Sequence, residues 1–383
     1  MQEDRVMATS KPGKGKTAQA PSRRAFLGAA AAAAAGAATI AAPNVSRAQT
    51  VSFKFQSTWP AKDIFHEYAQ DYVNKVNEMN GGRMQIELLA AGAVVGAMQM
   101  QDAVHAGALD GGHGVSAYWY GKHKAFSLFG TGPSFGMDAN TLLGWIKYGG
   151  GREFYDELVQ NVLQLNVVAF HTGPMPTQPL GWFKNEITAA DQLAGMKYRT
   201  VGLSADLFAE LGAAVTILPG GEIVPALDRG LIDGAEFNNP SSDLLLGFPD
   251  VTKVYMLQSF HQPLECFEIC FNKAKFDGLA AEQQAILRYA AEASSADMSW
   301  KAQDRYSKDL AAIKEAGVQV AQTPEAVLQA QLAAWSKLID TNVAADPFFA
   351  KVIESQKAWA QRVVGAMREI TVDSSLAYKH YFG

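Results

Sequence analysis

The chain has 383 residues, 48% of them hydrophobic and 19% charged, with a formal net charge of −5. This is a globular composition long enough for two domains, so disorder is not the default, and the acidic balance argues against a nucleic-acid partner. The only cysteines, Cys266 and Cys270, stand four residues apart on an expected strand. That is roughly 13 Å, beyond the roughly 7 Å reach of a disulfide, so two buried thiols are expected.

Residues 1–48 read as a signal peptide. Ser22-Arg23-Arg24-Ala25-Phe26-Leu27 is a twin-arginine export pattern, an alanine-rich run extends to Pro43, and Ser46-Arg47-Ala48 offers a small-x-small cleavage site. The run is too short and too rich in alanine and glycine to favour a transmembrane anchor. A soluble, exported mature protein is expected.

The mature chain opens with an alternating strand at Val51–Phe55. A helix comes next, with Phe65, Tyr68, Tyr72 and Val76 on one face and Asn80-Gly81-Gly82 at its end. Met84–Leu89 is the next strand and Met98–Ala106 the next helix. The segment Ala103–Gly111 then shares a pattern with Ala226–Gly234: a helix end closed by glycine and feeding a strand. This echo predicts two similarly built α/β lobes that face each other across a cleft, with Tyr118 on one wall and Glu236-Phe237-Asn238-Asn239 on the other.

The stretch Lys197–Pro240 has the strand–helix–strand–helix–strand order of a parallel sheet, with Arg199 and Glu236 at strand ends. Val254–Leu257 and Glu265–Asn272 are expected to be strands that return the chain to the first lobe and form a hinge. From Ala280 to about Ala316 a helix of roughly 50 Å is predicted, longer than one small domain is wide. The remainder reads as helical scaffold. The expected fold is thus a two-lobed α/β binding-protein-like architecture. Residues 49–171 with 262–300 form the first lobe and 172–261 the second, while 301–383 brace the lobes or a dimer.

Enzymatic signatures are missing from the sequence. The seven histidines show no zinc-ligand spacing, and there is neither a Gly-x-Ser-x-Gly elbow nor a Walker-type loop. Arg199 offers a planar fork for a carboxylate. Glu236 and Gln178 offer hard oxygen ligands suited to Na⁺ or Ca²⁺, although Glu236 can equally pair with Arg199 without any metal. Tyr118, Phe237, Asn239 and His261 are further candidates for the cleft lining.

The ordered set Gly181-Trp182-Phe183, Lys197-Tyr198-Arg199, Leu218-Pro219-Gly220-Gly221-Glu222-Ile223, Ala226–Glu236 and Asn272-Lys273 resembles the solute receptors of tripartite ATP-independent periplasmic (TRAP) transporters. Among these the chain is most similar to the branch that binds 2-oxo acids and related monocarboxylates. The resemblance implies a non-catalytic periplasmic receptor that closes over an organic anion and delivers it to membrane subunits. It also implies that Arg199 binds the ligand carboxylate. Gln178, Glu236 and the Phe237 carbonyl would bind a cation, and the carboxy-terminal helices would be exchanged in a homodimer. A 2-oxo or hydroxy monocarboxylate is the favoured ligand, with an aromatic or sugar acid as the alternative. A secreted α/β hydrolase or lyase is the alternative of another class. The chain departs from the branch at Phe237, where tryptophan is usual, at Asn238-Asn239, at His171, and in a longer Pro174–Thr177 segment.

Overall fold

The computed structural model of the protein describes residues 50–383, and the signal peptide read over residues 1–48 lies outside them. The chain begins with β1 (Val51–Ser57) and α1 (Ile64–Met79). Asp63 caps α1 by accepting from the Phe65 backbone N–H, satisfying one of the donors a helix start leaves open. Next come β2 (Met84–Leu89), α2 (Met100–His105), β3 (Gly111–Gly114), α3 (Ala139–Tyr148), α4 (Gly151–Asp156) and β4 (Val167–Met175). The chain then crosses to β5 (Gly181–Phe183), β6 (Lys197–Arg199), α5 (Leu203–Glu210), β7 (Ala214–Thr216), α6 (Gly220–Asp228), β8 (Gly234–Ala235), α7 (Pro240–Leu246), α8 (Phe248–Val251) and β9 (Val254–Leu257). It ends with β10 (Glu265–Asn272), α9 (Lys273–Asp277), α10 (Ala281–Glu315), β11 (Gln319–Gln322), α11 (Glu325–Ala345), α12 (Pro347–Ile370) and α13 (Ser374–Phe382).

Two sheets result, with strand orders β2-β1-β3-β10-β4 and β11-β9-β5-β8-β6-β7. Each is parallel except for one strand: β10 runs antiparallel to β3 and β4, and β5 runs antiparallel to β8 and β9. Both exceptions are strands that have just crossed from the other lobe. The crossings lie side by side, joined by a hydrogen bond from the Gln178 N–H to the Gln262 carbonyl at 3.0 Å and from Thr177 Oγ1 to the Pro263 carbonyl at 2.9 Å.

The two echoed segments occupy matching places. Gly107 (φ 77°) and Gly230 (φ 66°) adopt the left-handed conformation that closes a helix. The strands β3 and β8 then each pair in parallel with a neighbour inside their own sheet. The helical turn Ser116–Trp119 comes directly after β3, and Glu236–Asn239 directly after β8. Both segments therefore lie at carboxyl ends of strands, where open α/β sheets carry their sites.

Two expectations need correction. Strand β9 does not return to the first lobe; it pairs antiparallel with β5 in the second sheet, and only β10 returns. The carboxy-terminal part is also not all helical, because β11 pairs in parallel with β9 and forms the edge of the second sheet. The long helix appears as expected: α10 has 35 residues, about 50 Å. It packs against β4 and α1 on one side and against α7 on the other, so it spans both lobes. Both cysteines are free and buried on β10.

Candidate functional site

Strand pairing sets Arg199 opposite Ala235, so the side chain that ends β6 and the one just beyond β8 are neighbours. Arg199 is 1% exposed and Glu236 0%. The guanidinium is almost fully committed: Nε and Nη2 donate to the Leu218 carbonyl at 2.9 and 2.7 Å, and Nη1 donates to the Glu236 carbonyl at 3.0 Å and to Glu236 Oε1 at 2.8 Å. The other carboxylate oxygen, Glu236 Oε2, is buried without a partner. Burial pushes the Glu236 carboxyl up to about 7 against the opposing pull of Arg199.

A second buried carboxylate stands beside the first. Glu265, at the start of β10, is 3% exposed and accepts from Gln178 Nε2 at 3.1 Å and from Asn238 Nδ2. Its carboxyl is pushed up to about 8, chiefly by burial and further by the negative charge of Glu236. It is not among the site residues expected from the sequence. The available signal was an acidic residue interrupting the apolar run Leu264–Phe271; its partners, 87 and 27 positions away, were not legible there.

The site therefore gathers two carboxylates and one guanidinium, all three buried. Gln178 Oε1 and Glu236 Oε2 are both buried and unpartnered. An all-oxygen donor set with uncompensated negative charge fits a hard cation and does not fit a transition metal. Only two of the donors are carboxylates and the third is an amide, so the spacing of His, Cys, Asp and Glu along the chain does not reveal it.

The remaining predicted residues are brought to this centre, with distinct environments. Tyr118 is 8% exposed and its hydroxyl has no partner; burial holds its pKa well above the usual phenol range, with the charges of Arg199, Glu265 and Glu236 acting on it. His261 is buried, with Nδ1 2.5 Å from Ser259 Oγ and Nε2 unpartnered. Burial, with the Arg199 charge adding to it, lowers its pKa to about 3, so the ring is neutral. Phe237 stacks near Phe248 at 6.3 Å and meets Phe65 of the first lobe at 5.9 Å. A Cβ added at Gly220 would fall 2.5 Å from the Phe237 ring, so only glycine fits beneath it. Asn239 serves the scaffold: its Oδ1 caps α7 through the Ser242 N–H at 2.9 Å, and its Nδ2 donates to Asn238 Oδ1 at 3.0 Å.

The lobes meet directly around the centre. Ser242 Oγ donates to Asp63 Oδ1 at 2.6 Å, Lys62 Nζ to the Leu246 carbonyl at 3.3 Å, and the Leu203 N–H to Ser127 Oγ at 3.0 Å. Tyr120 Oη and Lys124 Nζ each reach Asp206 at 2.7 Å. This is a closed arrangement, with the charged centre sealed between the two walls.

Residues 55–346 match the family described as bacterial extracellular solute-binding protein, family 7 (DctP). A monocarboxylate 2-oxoacid-binding periplasmic protein of Nostoc sp. is 31% identical over 313 residues, covering 82% of this chain and 85% of the relative. Among solved structures, a TRAP solute-binding protein from Bordetella bronchiseptica, with calcium and picolinate in its site, superposes with a TM-score of 0.81 at 27% identity, covering 87% of this chain and 97% of that one. A TRAP periplasmic solute-binding protein from Colwellia psychrerythraea with bound calcium and pyruvate gives 0.79 at 30% identity, covering 87% and 100%. One from Pseudoalteromonas atlantica with bound sodium and pyruvate gives 0.80 at 29%, covering 88% and 100%. The two-lobed fold and these likenesses agree: the chain belongs to the DctP family and is a periplasmic solute receptor of the TRAP type, not an enzyme.

Proposed function

We propose that this receptor binds a 2-oxo monocarboxylate together with a hard cation, Na⁺ or Ca²⁺, and delivers the acid to TRAP membrane subunits. The observation that carries this reading is the pair of buried carboxylates, Glu236 and Glu265, beside a single guanidinium, with Gln178 Oε1 and Glu236 Oε2 unpartnered. Burial raises both carboxyls, the Glu236 charge raises Glu265 further, and a bound cation removes that cost. Gln178, Glu236, Glu265 and the Phe237 carbonyl would hold the ion.

The two sequence readings of Glu236 are then compatible, one oxygen each: Oε1 pairs with Arg199 and Oε2 faces the cation. Arg199 retains one free N–H on Nη2 for the ligand carboxylate, and its positive charge offsets the desolvation of the anion on closure. Tyr118 and His261 add polar atoms without partners of their own.

Picolinate, pyruvate and the 2-oxo acids named for the relatives share one chemical feature. Each places a second donor atom, a ring nitrogen or a keto oxygen, next to the carboxylate and so chelates a cation. An aromatic acid is therefore the second reading, on the same geometry. The test is a thermal-shift and calorimetric screen of carboxylic acids with Ca²⁺, with Na⁺, and after exhaustive chelation in sodium-free buffer. Saturable binding of an unaltered 2-oxo acid that requires a cation supports the reading; affinity indifferent to both ions sinks the cation role.

Two finer features belong to the same proposal. The α13 helix buries none of its residues and exposes Leu376, Tyr378, Tyr381 and Phe382, which supports a homodimer built through the carboxy-terminal helices. Light scattering of the full chain against a form ending at Ile370 tests it. Export through the twin-arginine route is proposed from Arg23-Arg24, and paired lysine substitutions there should retain the protein in the cytoplasm.

A further inference from the structure

We infer that Asn238 is a partition that sets ligand length: it closes the charged centre off from an adjoining cavity that a longer acyl chain would otherwise occupy. The inference rests on the 2-oxo acid reading of the site.

The side chain is held in one orientation by a directed chain of hydrogen bonds. The Ser242 backbone N–H can only donate, so the atom of Asn239 facing it must be the carbonyl oxygen, at 2.9 Å. The Asn239 amide nitrogen must then face outward, and it donates to Asn238 Oδ1 at 3.0 Å. The Asn238 Nδ2 is thereby directed at Glu265, which it meets. From behind, the Asn238 backbone N–H donates to Asp243 Oδ1 at 3.3 Å, and Asp243 Oδ2 accepts from Trp182 Nε1 at 2.8 Å. A small polar side chain fixed at the amide, the backbone and the neighbouring residue is a wall rather than a mobile group.

Asn238 also lines a solvent-open cavity of about 370 Å³ whose walls include Tyr255, Leu257, Tyr306, Ser307 and Leu310. Those walls are largely apolar and come from β9 and α10. None of Arg199, Glu236 and Glu265 lines that cavity, and Asn238 both lines it and touches Glu265. One side chain thus separates the cation-binding carboxylates from space suited to a hydrocarbon tail. The site as built takes a short acid, and its length limit resides at position 238 rather than in the shape of the charged centre.

The experiment is calorimetric titration of the protein with pyruvate and with 2-oxohexanoate, both in the presence of Ca²⁺. The two acids share the chelating head and differ by three methylenes, each worth about fourfold when buried. The parent is expected to prefer pyruvate, and Asn238→Ala to shift the ratio of the two affinities towards the longer acid by about tenfold or more. The ratio is the readout because losing the Asn238 amide weakens the cation site for both acids alike. Adding Ser307→Trp, an exposed position that fills the cavity from α10, is expected to return the ratio towards the parent's. A parent that takes both acids equally overturns the inference, as does an Asn238→Ala ratio equal to the parent's with pyruvate still bound, and as does a gain that survives Ser307→Trp. In each of those cases 2-oxo acid binding stands. If the parent binds neither acid, the functional reading itself fails and the partition falls with it.

Discussion

Two glutamates three positions apart on β10 have opposite fates. Glu268 is fully buried and accepts three hydrogen bonds, from Ser116 Oγ at 2.8 Å, Trp119 Nε1 at 2.6 Å and Tyr155 Oη at 2.5 Å. It ties the strand to the turn that carries Tyr118, and its needs are met inside the first lobe. Glu265 accepts two amide donors, faces a second carboxylate, and lies where the two lobes close. The same residue type on the same strand is scaffold in one place and site in the other. The difference is whether the surroundings supply all the donors or leave a deficit for a ligand to fill.

The contrast predicts opposite responses to substitution. Glu268→Ala would leave three buried donors unpaired, each costing about 1–3 kcal/mol, so urea unfolding should show a loss of at least about 3 kcal/mol. A loss under about 1 kcal/mol would mean that Glu268 is not the tie described here. Glu265→Gln should leave unfolding stability unchanged or slightly raised, because it removes a charge that burial and Glu236 both oppose. Its cost should appear in cation-dependent binding of pyruvate, weakened by about 100-fold, or about 2.7 kcal/mol. Equal affinities in parent and variant would return Glu265 to the scaffold.

Asp63 is intermediate. One carboxylate oxygen accepts from the Phe65 N–H and from Ser242 Oγ across the lobes, and the other is unpartnered. Burial pushes its pKa up to about 7, and Asp243 is likewise pushed up to about 7. A carboxyl whose pKa is raised by folding stabilises the fold most below its unfolded value, near 4, and that contribution disappears as pH rises to about 7. Between about pH 4 and pH 7 each of these two groups therefore lowers the stability of the ligand-free protein, and with it the thermal midpoint, as pH rises, by at most about 1.4 kcal/mol per pH unit. The buried rings of His113, His171 and His261, lowered to about 3, add a slope of the opposite sign. Asp63→Asn should remove its own share of the fall; a parent slope that persists unchanged in the variant would place the titration elsewhere.

The stretch Lys197–Pro240 was readable because glycines, helical periodicity and short apolar runs mark its elements locally, and Arg199 and Glu236 stand at strand ends by pattern alone. Glu265 was not readable. Its partners, Gln178 and Asn238, reach it through a strand crossing, and crossing topology is a property of the whole chain. The misplacement of β9 has the same origin: the run Val254–Leu257 announces a strand but not which sheet receives it. The strand Gln319–Gln322 escaped because a four-residue run bounded by glutamines has too little apolar character to stand out. It forms only because β9 offers it an edge.

The double crossing also governs when the molecule is able to form. Strand β10 lies between β3 and β4, so the first sheet, begun at Val51, has no interior strand to join its two parts until Asn272 has been made. The second sheet waits for Gln322 at its edge. Neither lobe is a continuous piece of chain, and pairings of such long sequence separation form slowly because loop closure precedes the contacts that reward it. A ribosome releasing this polypeptide residue by residue thus holds a first sheet without its joining strand until Asn272 and a second sheet without its edge until Gln322.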